Sequence, residues 1–194
     1  MLYVIMGKSS SGKDTIYRKL MEDNELKLNK IITYTTRPAR AGEVEGNEYH
    51  FVDEAKMNEM DRNGKIIEKR AYDTVYGVWN YFTADDENVK IDRNNYMVIG
   101  TLDSYEQLRA YYGEKKVMPI YIEVEDGERL ARALEREREQ DEPKYSEMCR
   151  RYLADEQDFN AERLEKLGIK RKYFNNDIQQ CMSQIKEQIL MTSD

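Results

Sequence analysis

The first 21 residues constrain the fold more strongly than any other part of this sequence. Five consecutive apolar residues, Leu2–Met6, are typical of a strand that is buried on both faces. The loop Gly7-Lys-Ser-Ser-Ser-Gly-Lys13 follows at once, and then comes Asp14–Met21, whose apolar residues share one helical face. A buried strand, a Gly-x4-Gly-Lys loop and a helix in direct succession are the phosphate-loop pattern in its required context.

The residue types in this loop suit a bound triphosphate. Glycine lets the backbone curl so that successive N–H groups point at phosphate oxygens, and the helix N-terminus adds partial positive charge. The side chain of Lys13 can reach the β- and γ-phosphates. The candidate ATP ligands are Ser9, Ser10, Ser11, Gly12, Lys13, Asp14 and Thr15. The alternative is a glycine turn that only joins strand to helix, and the context argues against it.

Asp14 occupies the position that usually holds Ser or Thr, whose hydroxyl ligates Mg²⁺. A carboxylate is also a hard oxygen ligand, so Asp14 is the candidate ligand for a Mg²⁺ cofactor bound with ATP, directly or through water. Without a metal, the same negative charge would oppose phosphate binding.

Strands that alternate with helices predict an α/β fold with a parallel sheet. Residues 34–83 depart from this alternation, because they hold polar, aromatic-rich strand-like segments and one short helix, which predicts a small inserted mixed lobe. The predicted strands after the first are 30–33, 48–52, 66–72, 96–100, 117–124 and 172–174, and the later helices are 54–63, 103–112, 128–140, 146–167 and 178–191.

Composition excludes several classes of protein. The 194 residues include 31 Lys and Arg against 38 Asp and Glu, a net charge of −7, which argues against a nucleic-acid partner. No apolar run approaches the roughly 20 residues of a membrane helix, so no membrane partner is expected. Two cysteines without metal-ligand spacing are consistent with a reducing, cytoplasmic location.

A second candidate anion site lies in Thr33-Tyr-Thr-Thr-Arg37-Pro-Ala-Arg40-Ala-Gly-Glu-Val-Glu-Gly-Asn-Glu-Tyr49-His-Phe-Val52. Two arginines three residues apart beside hydroxyl side chains are the chemistry of a phosphate clamp. The hydroxyl of Tyr49 can add to the same anion. Two solvated arginines on an exposed turn are the alternative that charge alone leaves open.

This stretch resembles the guanylate kinases, which carry T-T-R-x-P-R-x-G-E-x-x-G-x-x-Y-x-F after their phosphate loop. Here the proline comes one residue early, but the spacing of the arginines is kept. The resemblance continues through Ile66-Ile-Glu68, Tyr76-Gly77, a basic segment and Phe174-Asn-Asn-Asp-Ile178. It implies a phosphotransferase acting on ATP and GMP, small-molecule nucleotides as partners, and a monomer or homodimer. The implied regions are a core (1–32, 84–124 and 161–194), a monophosphate lobe (33–83) and a helical lid (125–160).

The resemblance also implies roles for individual residues. The GMP phosphate would be held by Arg37, Arg40, Tyr49 and Tyr76. Guanine would be read by Glu68, since a carboxylate accepts from the N1–H and N2 donors that adenine lacks at N1, and by Thr33 at O6. On residue type alone, Glu68 equally fits a solvated glutamate at a strand end.

Three departures from the family pattern affect positions expected to contact the base rather than the phosphates. Val78 replaces a Ser or Thr, the loop before Tyr76 is one residue short, and the family's D-x-D is Gly100-Thr-Leu-Asp103 here, leaving Asp103 as a displaced substitute. Another nucleoside or deoxynucleoside monophosphate therefore stays open as the acceptor. A non-catalytic module that binds a phosphorylated peptide is a further alternative, which the phosphate loop argues against.

The arginine-rich segment 128–151 fits a lid that closes cations over the transferred phosphoryl group. Arg136 or Arg138 matches the family's lid arginine, and Arg151 matches the arginine that opens the following helix. An exposed, salt-bridged helix pair is the alternative for each. The resemblance places Asn175 beside the adenine of ATP, and Asp177 equally fits the N-cap of the last helix.

Overall fold

The computed structural model describes residues 1–40, 42–74, 77–86 and 89–193. A five-stranded sheet has the order β2-β7-β1-β8-β9, and all of its neighbouring strands are parallel. Its strands are β1 (Leu2–Met6), β2 (Leu28–Lys30), β7 (Asn95–Ile99), β8 (Val117–Glu123) and β9 (Lys172–Phe174). The helices are α1 (Lys13–Met21), α2 (Glu54–Arg62), α3 (Leu102–Tyr112), α4 (Asp126–Arg138), α5 (Tyr145–Asp158), α6 (Ala161–Lys166) and α7 (Ile178–Ser193).

The central strand β1 shows why this sheet lies inside three layers. Its five residues are all fully buried, and they alternate between two apolar clusters. Leu2 and Val4 pack with apolar residues of α3 and α6 on one face, whereas Tyr3 and Ile5 pack with those of α1 and α7 on the other. The α/β class and the parallel sheet that the sequence predicts are confirmed.

A four-stranded sheet forms from the middle of the chain, in the order β4-β3-β6-β5. Its strands are β3 (Tyr34–Thr35), β4 (His50–Phe51), β5 (Ile66–Thr74) and β6 (Gly77–Ala84). The antiparallel pair β5–β6 carries a register irregularity between Ile66 and Glu68. Helix α2 packs on this sheet through Met57 and Met60, which cluster with Phe82.

Two elements that the sequence predicts as continuous are interrupted in the structure. The helix predicted over 146–167 is two helices, because Phe159 turns into the core against Tyr121 (ring centroids 5.7 Å apart) and the Asn160 side chain caps α6. The strand predicted over 30–33 is interrupted: β2 ends at Lys30 in the large sheet, and β3 begins at Tyr34 in the small one.

None of the helices in the described parts of the chain is both long and apolar enough to span a membrane.

Candidate functional site

The phosphate loop needs glycine at both of its ends. A side chain on Gly7 would place its Cβ 2.6 Å from the carbonyl oxygen of Ile122, on the neighbouring strand β8. Gly12 has a φ of +83°, and Ser10 also adopts the left-handed region with a φ of +62°. These conformations curl the loop over the N-terminus of α1, which begins at Lys13.

Asn175 holds the loop from the far end of the chain. Its Nδ2 donates to the Ser11 carbonyl oxygen over 2.8 Å, and its side chain is buried. A Cβ on Gly12 would come within 2.4 Å of that nitrogen. Arg132 of α4 in turn donates to the Asn175 carbonyl oxygen over 3.1 Å. Asn175 therefore shapes the loop through its side chain and contacts α4 through its backbone.

Two hydroxyl groups in the loop are left unpaired by the part of the chain that the structure describes. The Oγ atoms of Ser10 and Ser11 are buried, and neither has a hydrogen-bond partner among the described residues. Buried polar atoms are normally paired, so such atoms in a phosphate loop are consistent with a site built for a polar ligand.

The start of α1 offers a cation and a hard oxygen ligand side by side. The Lys13 ammonium lies 3.4 Å from a carboxylate oxygen of Asp14, whose side chain is 76% exposed. No cluster of three or more His, Cys, Asp or Glu side chains in the described residues is arranged to hold a metal. This donor set fits Mg²⁺ bound chiefly by phosphate and water oxygens, which needs only one or two protein carboxylates.

A cleft of about 610 Å³ lies between the small sheet, the start of α1 and the start of α5. It brings together five residues predicted from the sequence, namely Asp14, Thr33, Arg40, Tyr49 and Arg151. The other polar or aromatic side chains in its wall include Tyr17, Lys30, Glu48, Arg70, Tyr72, Asp73, Trp79, Tyr81, Glu147 and Arg150. Positively charged side chains from two different regions of the chain thus line one cleft.

Arg37 lies behind this wall. Its side chain is 3% exposed, and its guanidinium forks onto the Glu43 carboxylate at 2.9 and 2.8 Å while Nε donates to the Tyr81 hydroxyl at 3.1 Å. The hydrogen bonding between Arg37 and Glu43 lowers the pKa of Glu43 and raises that of Arg37. The Tyr49 ring lies 5.5 Å from the guanidinium. Glu43 also accepts from the Arg40 backbone N–H at 2.7 Å, so it connects the two predicted arginines.

Tyr49 presents a neutral hydroxyl to the cleft. Burial raises its pKa above the ordinary value of 10.0, more than the nearby arginines Arg37 and Arg70 lower it. The phenol therefore stays protonated at neutral pH and can donate to an anion.

Glu68 does not line the cleft directly. Its side chain is 1% exposed, and its Oε1 accepts from the Thr83 hydroxyl at 2.8 Å. Arg70, two residues later on β5, lies over it with Nε 3.2 Å from Oε2, and Arg70 lines the cleft. Glu68 as a guanine ligand stays a prediction. Its carboxylate contacts the Arg70 guanidinium, and its Oε2 is buried without a hydrogen-bond partner among the described residues.

The remaining predicted acceptor ligands are placed apart or not described. Asp103 forms an ion pair with Arg163 and lines a groove of about 470 Å³ beside Thr101, the N-cap of α3. This groove adjoins the cleft, since Arg70 and Tyr72 line both. Tyr76 lies outside the described residues.

The start of α5 contributes arginines to the cleft through a shared carboxylate. Glu147 pairs with Arg150 at 2.7 Å and with Arg151 at 2.9 Å. These hydrogen bonds, that of Arg150 foremost, lower the pKa of Glu147 to about 2. Arg150 and Arg151 thus reach the cleft with part of their charge balanced by Glu147.

Arg151 also lines a smaller cavity of about 210 Å³, which includes Arg136 and the loop residues Ser9 and Ser10. Arg138 is exposed in the last turn of α4. Of the two candidate lid arginines, Arg136 is the one beside the phosphate loop.

Helix α5 also contacts the phosphate loop through acidic residues. The Ser9 backbone N–H donates to Asp155 Oδ2 over 2.8 Å, and Lys8 pairs with Glu156 at 2.7 Å. Both carboxylates pair with Arg129, whose side chain is 1% exposed. This ionic cluster docks α4 and α5 against the loop.

Sequence reasoning assigned no role to Arg70, Glu43, Asp155 or Arg132. For two of them, Arg70 and Glu43, the sequence contains a feature that could have indicated a role. Arg70 is two residues from Glu68 in a predicted strand, so it shares the same face, and Glu43 belongs to the motif that contains both arginines. Nothing in the sequence pairs Asp155 with a loop 146 residues earlier.

Comparisons with known proteins show the family to which this chain belongs. The family model for guanylate kinase matches residues 1–190. A guanylate kinase from Wolbachia pipientis wMel is 28% identical over 193 residues, which cover 95% of this chain and 86% of that protein. A guanylate kinase from Syntrophomonas wolfei is 44% identical over 77 residues, so that the match spans only 39% of either chain.

The crystal structure of guanylate kinase from Anaplasma phagocytophilum superposes with a TM-score of 0.59, at 22% identity, over 97% of this chain and 85% of that one. This likeness concerns the fold. Because the family model covers nearly the whole sequence, from the phosphate loop to α7, this chain belongs to the guanylate kinase family.

Proposed function

We propose that this protein transfers the γ-phosphoryl group of ATP to GMP, producing ADP and GDP. The observation that supports the proposal is that a residue next to the phosphate loop and residues of the second candidate anion site line one cleft. Asp14, beside Lys13 at the end of the phosphate loop, and the clamp residues Arg40 and Tyr49 line the same 610 Å³ cleft. Arg151 lines both this cleft and the cavity next to Ser9 and Ser10.

The proposed reaction needs no side-chain base. A phosphate oxygen of the acceptor forms a bond to the γ-phosphorus while the bond from that phosphorus to the β,γ-bridging oxygen breaks, and ADP leaves with the electron pair. Lys13 and the arginines 136 and 151 would stabilise the charge on the transferring group, with Arg138 as the outer candidate. Arg40 and Tyr49 would hold the acceptor phosphate, and Arg37 would fix the clamp through Glu43.

The three regions predicted from the sequence serve this proposal. The core (1–32, 84–124 and 161–194) would present the phosphate loop, and Asn175 would support the ATP side. The lobe (33–83) would bind the acceptor. The lid (125–160) would exclude water when it closes, which protects the transferred group from hydrolysis.

Mg²⁺ is the proposed cofactor, and Asp14 is the residue that would hold it. When bound with ATP, the ion supplies positive charge that neutralises the β- and γ-phosphate oxygens. The exposed Asp14 carboxylate fits a ligand that acts directly or through a water molecule.

A second candidate is the same reaction on another nucleoside or deoxynucleoside monophosphate. Two observations favour it. The Val78 side chain has no hydrogen-bonding group although it is 47% exposed, and Asp103 is paired with Arg163 rather than directed to the cleft.

A panel assay tests the proposal and separates it from the second candidate. ADP release from MgATP is measured with GMP, dGMP, AMP, CMP, UMP and dTMP in turn. We expect turnover with GMP and dGMP, and at least tenfold lower kcat/KM with the others. Turnover confined to a pyrimidine nucleotide would support the second candidate, and no turnover with any acceptor would contradict both.

Lys13→Ala provides the matching active-site control. We expect kcat to fall by about a hundredfold or more, because the Lys13 ammonium would meet the charge that develops in the transition state. Lys19→Ala, an exposed lysine of the same helix, should keep wild-type rates.

A further inference from the structure

On β5, a glutamate and an arginine on the same strand face form an ion pair. Glu68 and Arg70 are two residues apart, so both side chains project to the same side. Arg70 Nη2 donates to Glu68 Oε1 at 3.3 Å, and its Nε lies 3.2 Å from Oε2. The Thr83 hydroxyl holds Oε1 from β6 at 2.8 Å. Nη2 therefore holds the Arg70 guanidinium against Glu68, whereas Arg70 Nε and Glu68 Oε2 have no hydrogen-bond partner among the described residues.

At this position on β5, the group that lines the cleft is a hydrogen-bond donor, the guanidinium of Arg70. The Glu68 side chain is 1% exposed, whereas that of Arg70 is 21% exposed and lines the cleft. A guanidinium has five N–H donors and no acceptor, so it cannot pair with the N1–H or N2 donors of guanine. It is suited instead to two neighbouring acceptors, which its planar fork can contact together.

The surroundings of Arg70 suit a base. The Tyr72 ring is 47% exposed on the same strand face, and it lies 5.6 Å from the Tyr81 ring in an edge-to-face arrangement. Both rings line the cleft. Aromatic faces of this kind stack on nucleobases, and the phosphate clamp of Arg40 and Tyr49 lies in the same wall.

We infer that Arg70 is a specificity-determining residue that contacts the acceptor base, and that its guanidinium donates to the adjacent O6 and N7 acceptors of a 6-oxopurine. Guanine and hypoxanthine both present these two acceptors, whereas adenine presents an amino donor in place of O6. Glu68 is then a positioning residue that holds Arg70, rather than the direct base ligand that the sequence predicts. This inference rests on the proposed function.

Substrate analogues separate the two ways of reading guanine without any mutation. 7-Deaza-GMP lacks the N7 acceptor and keeps N1–H and the N2 amino group, whereas IMP keeps O6 and N7 and lacks the N2 amino group. We expect kcat/KM for IMP to lie within about threefold of that for GMP, and kcat/KM for 7-deaza-GMP to fall about tenfold or more. The opposite ranking would overturn the inference, because it would mean that the N2 edge is read.

Three variants locate the effect in Arg70. In Arg70→Met, which keeps the chain length without donors, both contacts are lost. We therefore expect kcat/KM for GMP to fall below the wild-type value for 7-deaza-GMP, and GMP and 7-deaza-GMP to become equivalent in the variant. In Glu68→Gln, the preference for GMP over 7-deaza-GMP should shrink while the ratio of GMP to IMP stays unchanged. Lys69→Met is the control, since Lys69 faces the other side of β5 and pairs with Asp61.

Other outcomes have defined meanings. An equal loss for every monophosphate in Arg70→Met would place Arg70 on the phosphate and overturn the inference. If wild-type protein does not turn over GMP, the proposed function fails separately. Calorimetric binding of GMP, IMP and 7-deaza-GMP in the absence of ATP then still ranks the analogues. Thermal unfolding of each variant checks that the fold is intact.

Discussion

Position 12 imposes two requirements that only glycine meets. Its φ of +83° lies in the left-handed region, and its missing side chain leaves room for the Asn175 amide, which would lie 2.4 Å from a Cβ. The first requirement concerns the backbone alone, whereas the second connects the phosphate loop to the segment after β9. The conformation of the loop thus depends on a residue 163 positions later.

We expect Gly12→Ala to weaken ATP binding by about tenfold or more, because displacement of Asn175 would release the Ser11 carbonyl that it holds. The strain of the left-handed backbone adds about 1 kcal/mol to the loss of stability. Gly64→Ala is the matched control, since Gly64 has a φ of +65° and nothing within 4 Å of its Cβ position. Calorimetry with ATP and urea unfolding would measure both effects. Wild-type ATP affinity in Gly12→Ala would contradict this account of the loop.

Helix α7 packs its apolar side so tightly against the sheet that one of its residues is chemically protected. Cys181 is fully buried with Ile185 and Ile189, and burial raises the pKa of its thiol to about 11. Cys149 lies exposed on α5. We expect a thiol reagent at pH 8 to modify one cysteine in the native protein and both in denaturant, as counted by mass spectrometry. Rapid modification of Cys181 in native protein would show that α7 does not stay docked.

The first turn of α5 is stabilised by the pairs of Glu147 with Arg150 and Arg151. The pKa of Glu147 falls from an ordinary 4.5 to about 2, so its contribution to stability is present above pH 4.5 and is lost as pH falls towards 2. The side chain is 40% exposed, which limits this contribution to about 0.5 kcal/mol.

We therefore expect Glu147→Gln to lower the free energy of unfolding at pH 7, and the difference from wild type to narrow as the pH is lowered below 4.5. Urea unfolding at pH 7, 5 and 3.5 measures this difference. Glu54→Gln, at the exposed first turn of α2, is the control. A difference that is constant across these pH values would contradict the ion-pair explanation.

At the scale of the whole molecule, the sequence predicts what local patterns encode. The continuous apolar run of β1 and the glycines that flank the phosphate loop are each contained within a few residues, and both are found where predicted. The family motif likewise predicted Arg40 and Tyr49, which share one cleft.

What could not be predicted depends on contacts between distant segments. The break between α5 and α6 follows from the packing of Phe159 on Tyr121 of β8, which helical periodicity does not encode. In the candidate site, the family motif predicts that Arg37 holds the acceptor phosphate. Its side chain instead turns to Glu43 and Tyr81 behind the cleft wall. Side-chain direction of this kind depends on which partner the folded chain supplies.

The two candidate phosphate sites serve the proposed reaction only if the γ-phosphoryl group passes directly from ATP at one site to GMP at the other. The most direct test follows the phosphorus atoms by ³¹P NMR in a mixture of ATP, GMP and Mg²⁺ with the wild-type protein. We predict that the γ-phosphate signal of ATP and the signal of GMP decline together, while the signals of ADP and GDP rise in equal amounts. Release of inorganic phosphate with GMP unchanged, or a spectrum that does not change, would contradict the assignment of this protein as a GMP-phosphorylating kinase.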